Sequence, residues 1–432
     1  MLLDKLFTRL EYLVPRRVVK VFSFTAFSTI IKLITSFIAM KVIAVMIGPK
    51  GLVLLGNLNN FCAIIFIVAC GGIINGVTKY SSEHKNTPSF ENYFKTASQI
   101  ILFFSFLSTV VLLMGAPFFS RKIFLSNDFE YVFYVLALTI YFFTANAFFG
   151  AVLNGLKEFR RYITINIANN VFGLIFTLVL IYFWGIKGVL LSVITFNSAS
   201  FVVTWWMIRK DKWLQFSAVF SKIEWSVVKQ FLQFSLMSLA SASFVPLAQV
   251  FIRNHIVHNI SMEAAGYWDG VNRLSAVYIL VLISTYSPYY LPRLSEINTR
   301  LEMKKEIMIA FRLILPVLFV VFSCVLVFKT FVIRLLFARA FLPMNDLFLF
   351  QLIGDFFRAA GWILAYIMIA KAQYKSFILN ELFFTVTLVL FSFFLQSRYG
   401  LLGYPMAYML NYIIQLIVLG LWIKYYLNKK LD

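Results

Sequence analysis

Ionisable side chains interrupt segments of this chain that are otherwise apolar enough to lie in hydrocarbon. The seven residues are Lys32, Lys41, Asp269, Arg273, Asp355, Arg358 and Glu381. Because a charge buried in hydrocarbon is costly, such residues pair with one another, line a water-filled cavity or mark the path of a ligand or ion. With Arg312 included, five cations stand against three acids. That excess favours an anionic ligand.

Spacing predicts two acid–base pairs among these residues. Asp269 and Arg273 are four residues apart, and Asp355 and Arg358 are three apart. On a helix, both spacings place the two side chains on one face. Each pair either belongs to a binding or coupling site near mid-membrane, or neutralises itself and holds helices together.

Lys32 has no acidic residue in its own apolar segment. Its amine therefore needs a partner from another helix, from water or from a ligand. Lys41 follows nine residues later, which is about 900° of helix rotation and nearly the opposite face. Either this span bends, so that both amines line one cavity, or Lys41 reaches outward to the membrane interface near Gly48.

Glu381 and Asn57 complete the set of candidate polar side chains. Glu381 is six residues from Lys375, so it either reaches the cytoplasmic interface or acts as a protonatable coupling group. Asn57 belongs to the run GNLNN, residues 56–60, where amides can bridge helices or hydrogen-bond a sugar.

The elements that carry these residues are membrane-spanning helices. Of 432 residues, 61% are hydrophobic and 13% are charged, which is typical of a polytopic membrane protein. Spans of about 20 apolar residues indicate helices, because spanning strands need only about 9 to 11 residues. Twelve spans are predicted: 20–47, 51–78, 93–114, 131–154, 161–184, 187–208, 228–252, 262–286, 309–328, 345–370, 374–395 and 399–423.

The basic residues predict the orientation of these spans. With both termini in the cytoplasm, 25 of the 39 Lys and Arg residues lie on that side and nine, including Arg253, lie in external loops. This distribution obeys the positive-inside rule. The net charge of +21 is then explained by this rule and by anionic lipid headgroups, so it predicts no nucleic-acid partner.

No residue pattern indicates an enzyme or a metal protein. Cys62, Cys70 and Cys324 lie within spans and are predicted to be packing residues. His255 and His258 are three residues apart but lack a third ligand. The sequence also contains no nucleophile triad, phosphate-binding loop or dinucleotide fingerprint. Residues 1–17 resemble a short interfacial helix.

An internal repeat divides the predicted spans into two halves. The shift along the chain that carries Gly51 onto Gly266 also carries Gly185 onto Gly400 and Gly188 onto Gly403, and it is called the repeat shift below. The predicted organisation is an N-terminal lobe of six helices (residues 1–208), a cytoplasmic linker (209–230) and a C-terminal lobe of six helices (231–432). Six is even, so the lobes are expected to be related by a pseudo-twofold axis along the membrane normal. Chance alignment of glycines and loop cations is the alternative.

Several stretches resemble a known family. They are STIIKLITSFIAMKVIAVMIGPKGLVLLGN, INGVTKY, GYWDGVNRLSAVYI and DLFLFQLIGDFFRAAGWILAYIMIAKA. In these stretches the chain is similar to the O-antigen and lipid III flippases of the multidrug/oligosaccharidyl-lipid/polysaccharide exporter superfamily. The resemblance covers most of the chain. Lys32, Lys41, Asp355 and Arg358 match the family pattern, whereas Asp269 and Arg273 replace uncharged polar residues and leave the glycan undetermined.

The resemblance implies twelve helices in two lobes that form a V around a cationic central cavity. It implies translocation of undecaprenyl-pyrophosphate-linked oligosaccharide from the cytoplasmic to the periplasmic leaflet of the bacterial inner membrane by alternating access. The substrate-binding candidates are Lys32, Lys41, Asn57, Arg273 and Arg358, and the ion-coupling candidates are Asp269, Asp355 and Glu381. No cofactor or metal is expected beyond H⁺ or Na⁺ as coupling ion. Membrane lipids, a polysaccharide polymerase and a chain-length regulator are candidate partners.

Two other functions are weighed against this one. A multidrug antiporter of the same superfamily would bind organic cations, so its cavity should be acidic or aromatic, and the excess of intramembrane cations argues against it. A polymerase or ligase of surface glycans is expected to carry catalytic residues on a long external loop. The longest external loops, about residues 115–130 and 329–344, are too short for such a domain.

Overall fold

The computed structural model describes residues 16–85, 87–211, 213–214, 224–297, 299–371 and 373–430. Within these ranges the chain is helical, with short turns and no strand. The predicted all-helical class is therefore confirmed. Most of the predicted interfacial helix at the N-terminus and much of the predicted linker, including residues 215–223, lie outside the described residues.

Twelve α-helices are formed by the described residues. The first six are α1 (Arg16–Ala69), α2 (Ile74–Glu83), α3 (Ser89–Phe119), α4 (Glu130–Gly155), α5 (Phe159–Ile208) and α6 (Trp225–Asn259). The last six are α7 (Met262–Glu296), α8 (Arg300–Val327), α9 (Lys329–Leu336), α10 (Phe348–Ala370), α11 (Tyr374–Tyr399) and α12 (Gly403–Lys430). Short π and 3₁₀ turns lie at Ser120–Phe124, Arg339–Leu347 and Gly400–Leu402.

Two of these helices each contain two spans, because a glycine kinks them. Gly48 in α1 has φ 63°, and Gly185 in α5 has φ 53°. A positive φ is accessible to glycine at little cost. The breaks fall where the predicted spans end, at residues 47 and 184. In the described part of the chain, seven helical stretches are long and apolar enough to cross a membrane by length and composition.

Three of the seven stretches are too long for a single crossing. Phe27–Ala69, Phe159–Ile208 and Lys375–Lys429 contain 43, 50 and 55 residues, whereas a single crossing needs about 20. Each contains one glycine with positive φ, which is Gly48, Gly185 or Gly400 respectively. Each stretch therefore corresponds to two predicted spans. The structure thus reproduces the prediction of a multi-pass membrane protein.

The predicted repeat recurs in the local backbone. Gly185 has φ 53° and ψ −128°, and Gly400, its counterpart under the repeat shift, has φ 57° and ψ −133°. A Cβ atom added to Gly188 would lie 1.9 Å from the carbonyl oxygen of Leu180. The same addition to Gly403 would lie 2.5 Å from that of Leu395, and the repeat shift also carries Leu180 onto Leu395. The two turns are built alike.

Contacts divide the chain into two compact units. The first comprises Met1–Ala39 and Ile64–Leu239, and the second comprises Met40–Ala63 and Ala240–Asp432. The second unit thus includes the middle of α1. The lobe boundaries predicted from the repeat, at 208 and 231, stay a prediction.

Helix α10 is the central element of the second unit. It packs against α7, α8, α11 and α12, and its apolar residues are buried on several faces, as Phe348, Ala359 and Ile367 show. The approach to α12 is close, because a Cβ atom at Gly354 would lie 2.4 Å from the ring of Tyr408. This packing fixes the position of Asp355, which follows Gly354.

Candidate functional site

Asp269 and Arg273 lie one turn apart on α7. The helix begins after Ser261, whose hydroxyl accepts a hydrogen bond from the Ala264 amide at 3.0 Å and so caps the helix. Arg273 Nε donates to Asp269 Oδ2 at 2.7 Å. The pairing that the four-residue spacing predicts is confirmed.

A second arginine, Arg253 on α6, also binds Asp269. It donates to Asp269 Oδ1 and, at 2.8 Å, to Asn57 Oδ1. Its guanidinium lies 5.6 Å from the centre of the Trp268 ring, within range of a cation–π contact. Asn57, Arg253, Asp269 and Arg273 are called the Arg253 cluster below. Arg253 is only 2% exposed, and all four residues belong to the second unit.

The assignment of Arg253 to an external loop was wrong. The polar run Arg253, Asn254, His255 resembles a loop, so the predicted span ended at residue 252, but α6 continues to Asn259. Ile252 and Ile256 are four residues apart and both buried. That apolar spacing was the signal that could have extended the helix.

Asn57 on α1 is 1% exposed. Besides accepting from Arg253, it donates to Asn254 Oδ1 at 3.0 Å. Its neighbour Gly56 leaves room for the contact between Arg253 and Asp269, because a Cβ atom there would lie 2.7 Å from both the Arg253 guanidinium and Asp269 Oδ1. The run GNLNN thus supplies one amide partner for Arg253 and the space for its ion pair.

Asp355 is the acid of a second group, the Asp355 cluster. This cluster consists of Ser275, Tyr278, Asp355, Arg358 and Tyr408. The Asp355 carboxylate is fully buried and accepts hydrogen bonds from Ser275 Oγ at 2.6 Å, from Tyr408 Oη at 2.7 Å and from Tyr278 Oη. Three hydroxyl donors satisfy its buried oxygens, as a buried polar group requires.

Arg358 joins this acid through Tyr408. Arg358 Nη1 donates to Tyr408 Oη at 3.1 Å, and Tyr408 donates to Asp355. The direct ion pair that the three-residue spacing predicts is therefore replaced, among the described residues, by a bridge through a hydroxyl group. Tyr408 lies 53 residues away on α12, so no local spacing could reveal it.

Arg358 also borders a cavity of about 110 Å³. Its polar lining includes Arg358, Glu381, Asn411, Tyr412 and Gln415. A cavity of this size and polarity has room for several water molecules, each of which occupies about 30 Å³ in the liquid. Glu381 lines this cavity together with Arg358, and its role as a coupling group stays a prediction.

The two lysines of α1 have different surroundings. Lys41 Nζ donates to the carbonyl oxygens of Arg334, at 2.7 Å, and Phe337, at the end of α9. A cation at that position satisfies carbonyls that a helix terminus leaves free. Lys32 is exposed and lies in the first unit. The substrate-binding roles of both lysines stay predictions.

The histidines and cysteines provide no metal site. No group of three or more His, Cys, Asp or Glu residues in the described ranges could hold a metal ion. His255 Nδ1 lies 2.6 Å from Tyr404 Oη. Cys62 and Cys70 are buried as predicted, but Cys324 is exposed, because it lies on the same outward face of α8 as Val320.

Curated relatives of the chain are flippases. The lipid III flippase of Escherichia coli (strain K12) is 27% identical over 391 residues, covering 90% of this chain and 94% of that protein. The lipid III flippase of Shigella flexneri gives the same values. These relatives are transporters, which agrees with the prediction of a chain without enzymatic activity.

Solved structures of transporters share the fold. A multidrug resistance MATE family transporter of the MOP superfamily, in an inward-facing conformation, matches with a TM-score of 0.77 at 13% identity, covering 92% of this chain and 96% of that one. A MOP superfamily transporter from Pyrococcus furiosus matches with a TM-score of 0.70 at 14% identity, covering 95% and 96%. At these identities the likeness establishes the fold alone.

The family is shown by a match over most of the chain. Residues 18–298 match the family described as "Polysaccharide biosynthesis protein". The matched range contains Lys32, Lys41 and the whole Arg253 cluster, and it extends from the first span into the second unit. The chain belongs to the polysaccharide biosynthesis protein family.

Proposed function

We propose that this chain is a flippase that moves undecaprenyl-pyrophosphate-linked oligosaccharide from the cytoplasmic to the periplasmic leaflet of the inner membrane. The observation that carries the proposal is the contact that holds Arg273, a cation of the predicted span 262–286, against Asp269. The flippase names of the curated relatives support it. An O-antigen unit and lipid III are the two substrates proposed, and both termini are proposed to be cytoplasmic.

The chemistry of the substrate explains the need for fixed cations. A pyrophosphate that enters hydrocarbon loses its water, and each unsatisfied charge then costs many kcal/mol. Arginine replaces that water with several donors held in a planar fork, and it forms paired hydrogen bonds with phosphate oxygens. We assign this role to Arg273 and Arg358, with Lys32 as a third cation. The prenyl tail remains in lipid while the head passes.

Ion coupling is proposed for two acids of the second unit. Asp355 accepts hydrogen bonds from three hydroxyl groups. Glu381 lines the polar cavity together with Arg358. Either acid can bind H⁺ or Na⁺ in exchange for these contacts as the chain alternates between its two access states. Asp269 differs, because both of its oxygens bind arginine. We propose that it positions these arginines.

The alternative function is multidrug antiport, which the shared MATE fold favours. An antiporter that exports organic cations needs acidic or aromatic groups facing its ligand. The Arg253 cluster instead holds two guanidinium groups and one carboxylate. Its charge favours an anion.

The test is complementation of a strain that lacks its own O-antigen or lipid III flippase. Arg273→Gln and Arg358→Gln should lower surface polysaccharide about 10- to 100-fold, because each removes a charge-assisted contact of ~1.5–3 kcal/mol, while the lipid-linked unit accumulates. The matched control is Arg312→Gln, which removes an exposed arginine within a span and should complement fully. Full polysaccharide from both test variants, at normal membrane levels, would contradict the proposal.

A further inference from the structure

The Arg253 cluster has a net positive charge, although its two residues on α7, Asp269 and Arg273, would be neutral as a pair. That neutral pair alone would exert little net attraction on an anion. Arg253 adds a second guanidinium from α6, and Asn57 adds an uncharged amide. The cluster therefore carries two positive charges and one negative charge.

The hydrogen bonds divide the cluster into a buried part and an accessible part. Arg253 is 2% exposed, and its terminal nitrogens bind Asn57 and Asp269. The side chain of Arg273 is 25% exposed and binds Asp269 through Nε. Within the part of the chain that the structure describes, the two terminal nitrogens of Arg273 have no hydrogen-bond partner. They are the donors of the cluster that remain for a ligand.

We propose that Arg253 is a positioning residue for Arg273. It keeps the net charge of the cluster positive where Arg273 meets the substrate. Arg253 compensates the charge of Asp269, so the carboxylate orients the Arg273 guanidinium without cancelling its attraction for a phosphate. This inference rests on the proposed function. It names the ligand group as a phosphate or pyrophosphate of a lipid-linked substrate, bound by the terminal nitrogens of Arg273.

The proposal gives opposite expectations for variants that differ in charge but little in shape. Arg253→Gln leaves a neutral Asp269–Arg273 pair, so binding should weaken. Asp269→Asn leaves two cations and an amide oxygen that can still accept from Arg273 Nε, so binding should strengthen. The double variant Arg253→Gln/Asp269→Asn again leaves one net positive charge on Arg273, so it should restore the binding that the first change removes.

The measurement uses the purified full-length chain in lipid nanodiscs, with undecaprenyl pyrophosphate as the probe. We expect about tenfold weaker binding for Arg253→Gln, which corresponds to 1.4 kcal/mol, and near-normal binding for the double variant. Arg253→Lys keeps the buried charge but offers one amine in place of two terminal nitrogens, so it should bind the probe more tightly than Arg253→Gln. Thermal unfolding of each variant shows whether its fold is intact.

The outcomes separate this inference from the proposed function. If Arg273→Gln binds the probe normally, the proposed phosphate site is wrong. If Arg273→Gln loses binding while Arg253→Gln keeps it, only the role of Arg253 is overturned. If the double variant binds as weakly as Arg253→Gln, Arg253 acts through packing and not through charge, and the inference is again overturned. Restored binding in the double variant supports it, because lost packing would not be repaired by a second substitution.

Discussion

Tyr408 connects a buried acid to a buried base, and its hydroxyl group is the point of connection. It donates to Asp355 Oδ1 and accepts from Arg358 Nη1. Such a bridge keeps the carboxylate and the guanidinium separate while satisfying an atom of each. An acid held in this way can exchange one partner for an ion without losing the others.

Removal of that hydroxyl group should be costly. Tyr408→Phe keeps the ring but leaves one oxygen of Asp355 and one nitrogen of Arg358 without this partner. We expect the free energy of unfolding to fall by about 1–3 kcal/mol, the cost of an unsatisfied buried polar group. Denaturant unfolding in detergent measures it. Tyr425→Phe, which removes an exposed hydroxyl bonded to Lys429, is the control and should change little.

A substitution at Gly56 tests the close approach of α1 to the Arg253 cluster. In Gly56→Ala the new Cβ would lie 2.7 Å from the Arg253 guanidinium and Asp269 Oδ1. We expect weaker probe binding and a destabilisation of about 1–3 kcal/mol from overpacking. Gly420→Ala meets no atom within 4 Å and should be neutral or slightly stabilising, since alanine favours a helix. Equal melting temperatures for the two variants would contradict the prediction.

The residue-level prediction succeeded for Asp269 and Arg273 but not for Asp355 and Arg358, which are joined through Tyr408. Asp269 and Arg273 pair because four residues make one turn of helix. Arg253, Tyr278 and Tyr408 were missed because their acidic partners lie 16, 77 and 53 residues away. Those contacts arise from the packing of helices against one another, and residue spacing within one helix does not predict them.

At the scale of elements, the middle of α1 packs closely against α7 and α9. Lys41 binds the carbonyl groups at the end of α9, and Lys50 lies 2.9 Å from Glu263 at the start of α7. The hydrogen bond to the Glu263 carboxylate raises the pKa of Lys50. Between these contacts, Pro49 lies against Gly266.

The contact at Gly266 leaves no room for a larger side chain. A Cβ atom there would lie 2.2 Å from the Pro49 carbonyl oxygen, which belongs to the backbone and cannot rotate away. Gly266→Val should therefore displace the Gly48 kink from α7 and lower the melting temperature by several degrees. Gly270→Ala, one turn later, is the control, because its Cβ would meet only side-chain atoms among its nearest neighbours, the Met344 sulfur at 3.2 Å and the rings of Phe337 and Phe341 at 3.4 and 3.6 Å. An unchanged melting temperature for Gly266→Val would show that α1 moves freely there.

Substitution of Lys41 distinguishes a structural role from substrate binding. Lys41→Met keeps the length of the side chain but removes the cation from the α9 carbonyl groups. If the contact is structural, the free energy of unfolding should fall by about 1.5–3 kcal/mol, as for other hydrogen bonds to charged groups, while probe binding in nanodiscs stays normal. Weaker binding with unchanged stability would instead support the predicted substrate contact.

Span positions could be predicted because hydrophobic length is a strong signal. The breaks near residues 48 and 185 were placed correctly, since Gly48 with Pro49 and Gly185 interrupt apolar runs. The end of α6 was missed by seven residues. At that end of α6, Arg253 and Asn254 would be solvated if they lay in a loop. Inside the protein they instead form hydrogen bonds with Asp269 and Asn57.

At the scale of the whole molecule, orientation in the membrane is the prediction to test. Both termini should be cytoplasmic because 25 of the 39 basic residues then lie on that side. A fluorescent protein fused after Asp432 should therefore fold and fluoresce, whereas alkaline phosphatase fused after Asp128, in a predicted external loop, should be active. Phosphatase activity at the C-terminus would reverse the assignment of every loop.

The paired turns at Gly185 and Gly400 also bear on the ancestry of the chain. Two turns with closely similar dihedral angles, the same glycine spacing and the same leucine contact, related by the repeat shift, are what tandem duplication of a six-helix unit predicts. At that shift, Leu54 and Leu58 of the first copy correspond to Asp269 and Arg273 of the second. Both leucines are buried. The two predicted halves therefore share the geometry of these turns but not the buried charge, and a protein assembled from two N-terminal halves would contain the turns without the cluster.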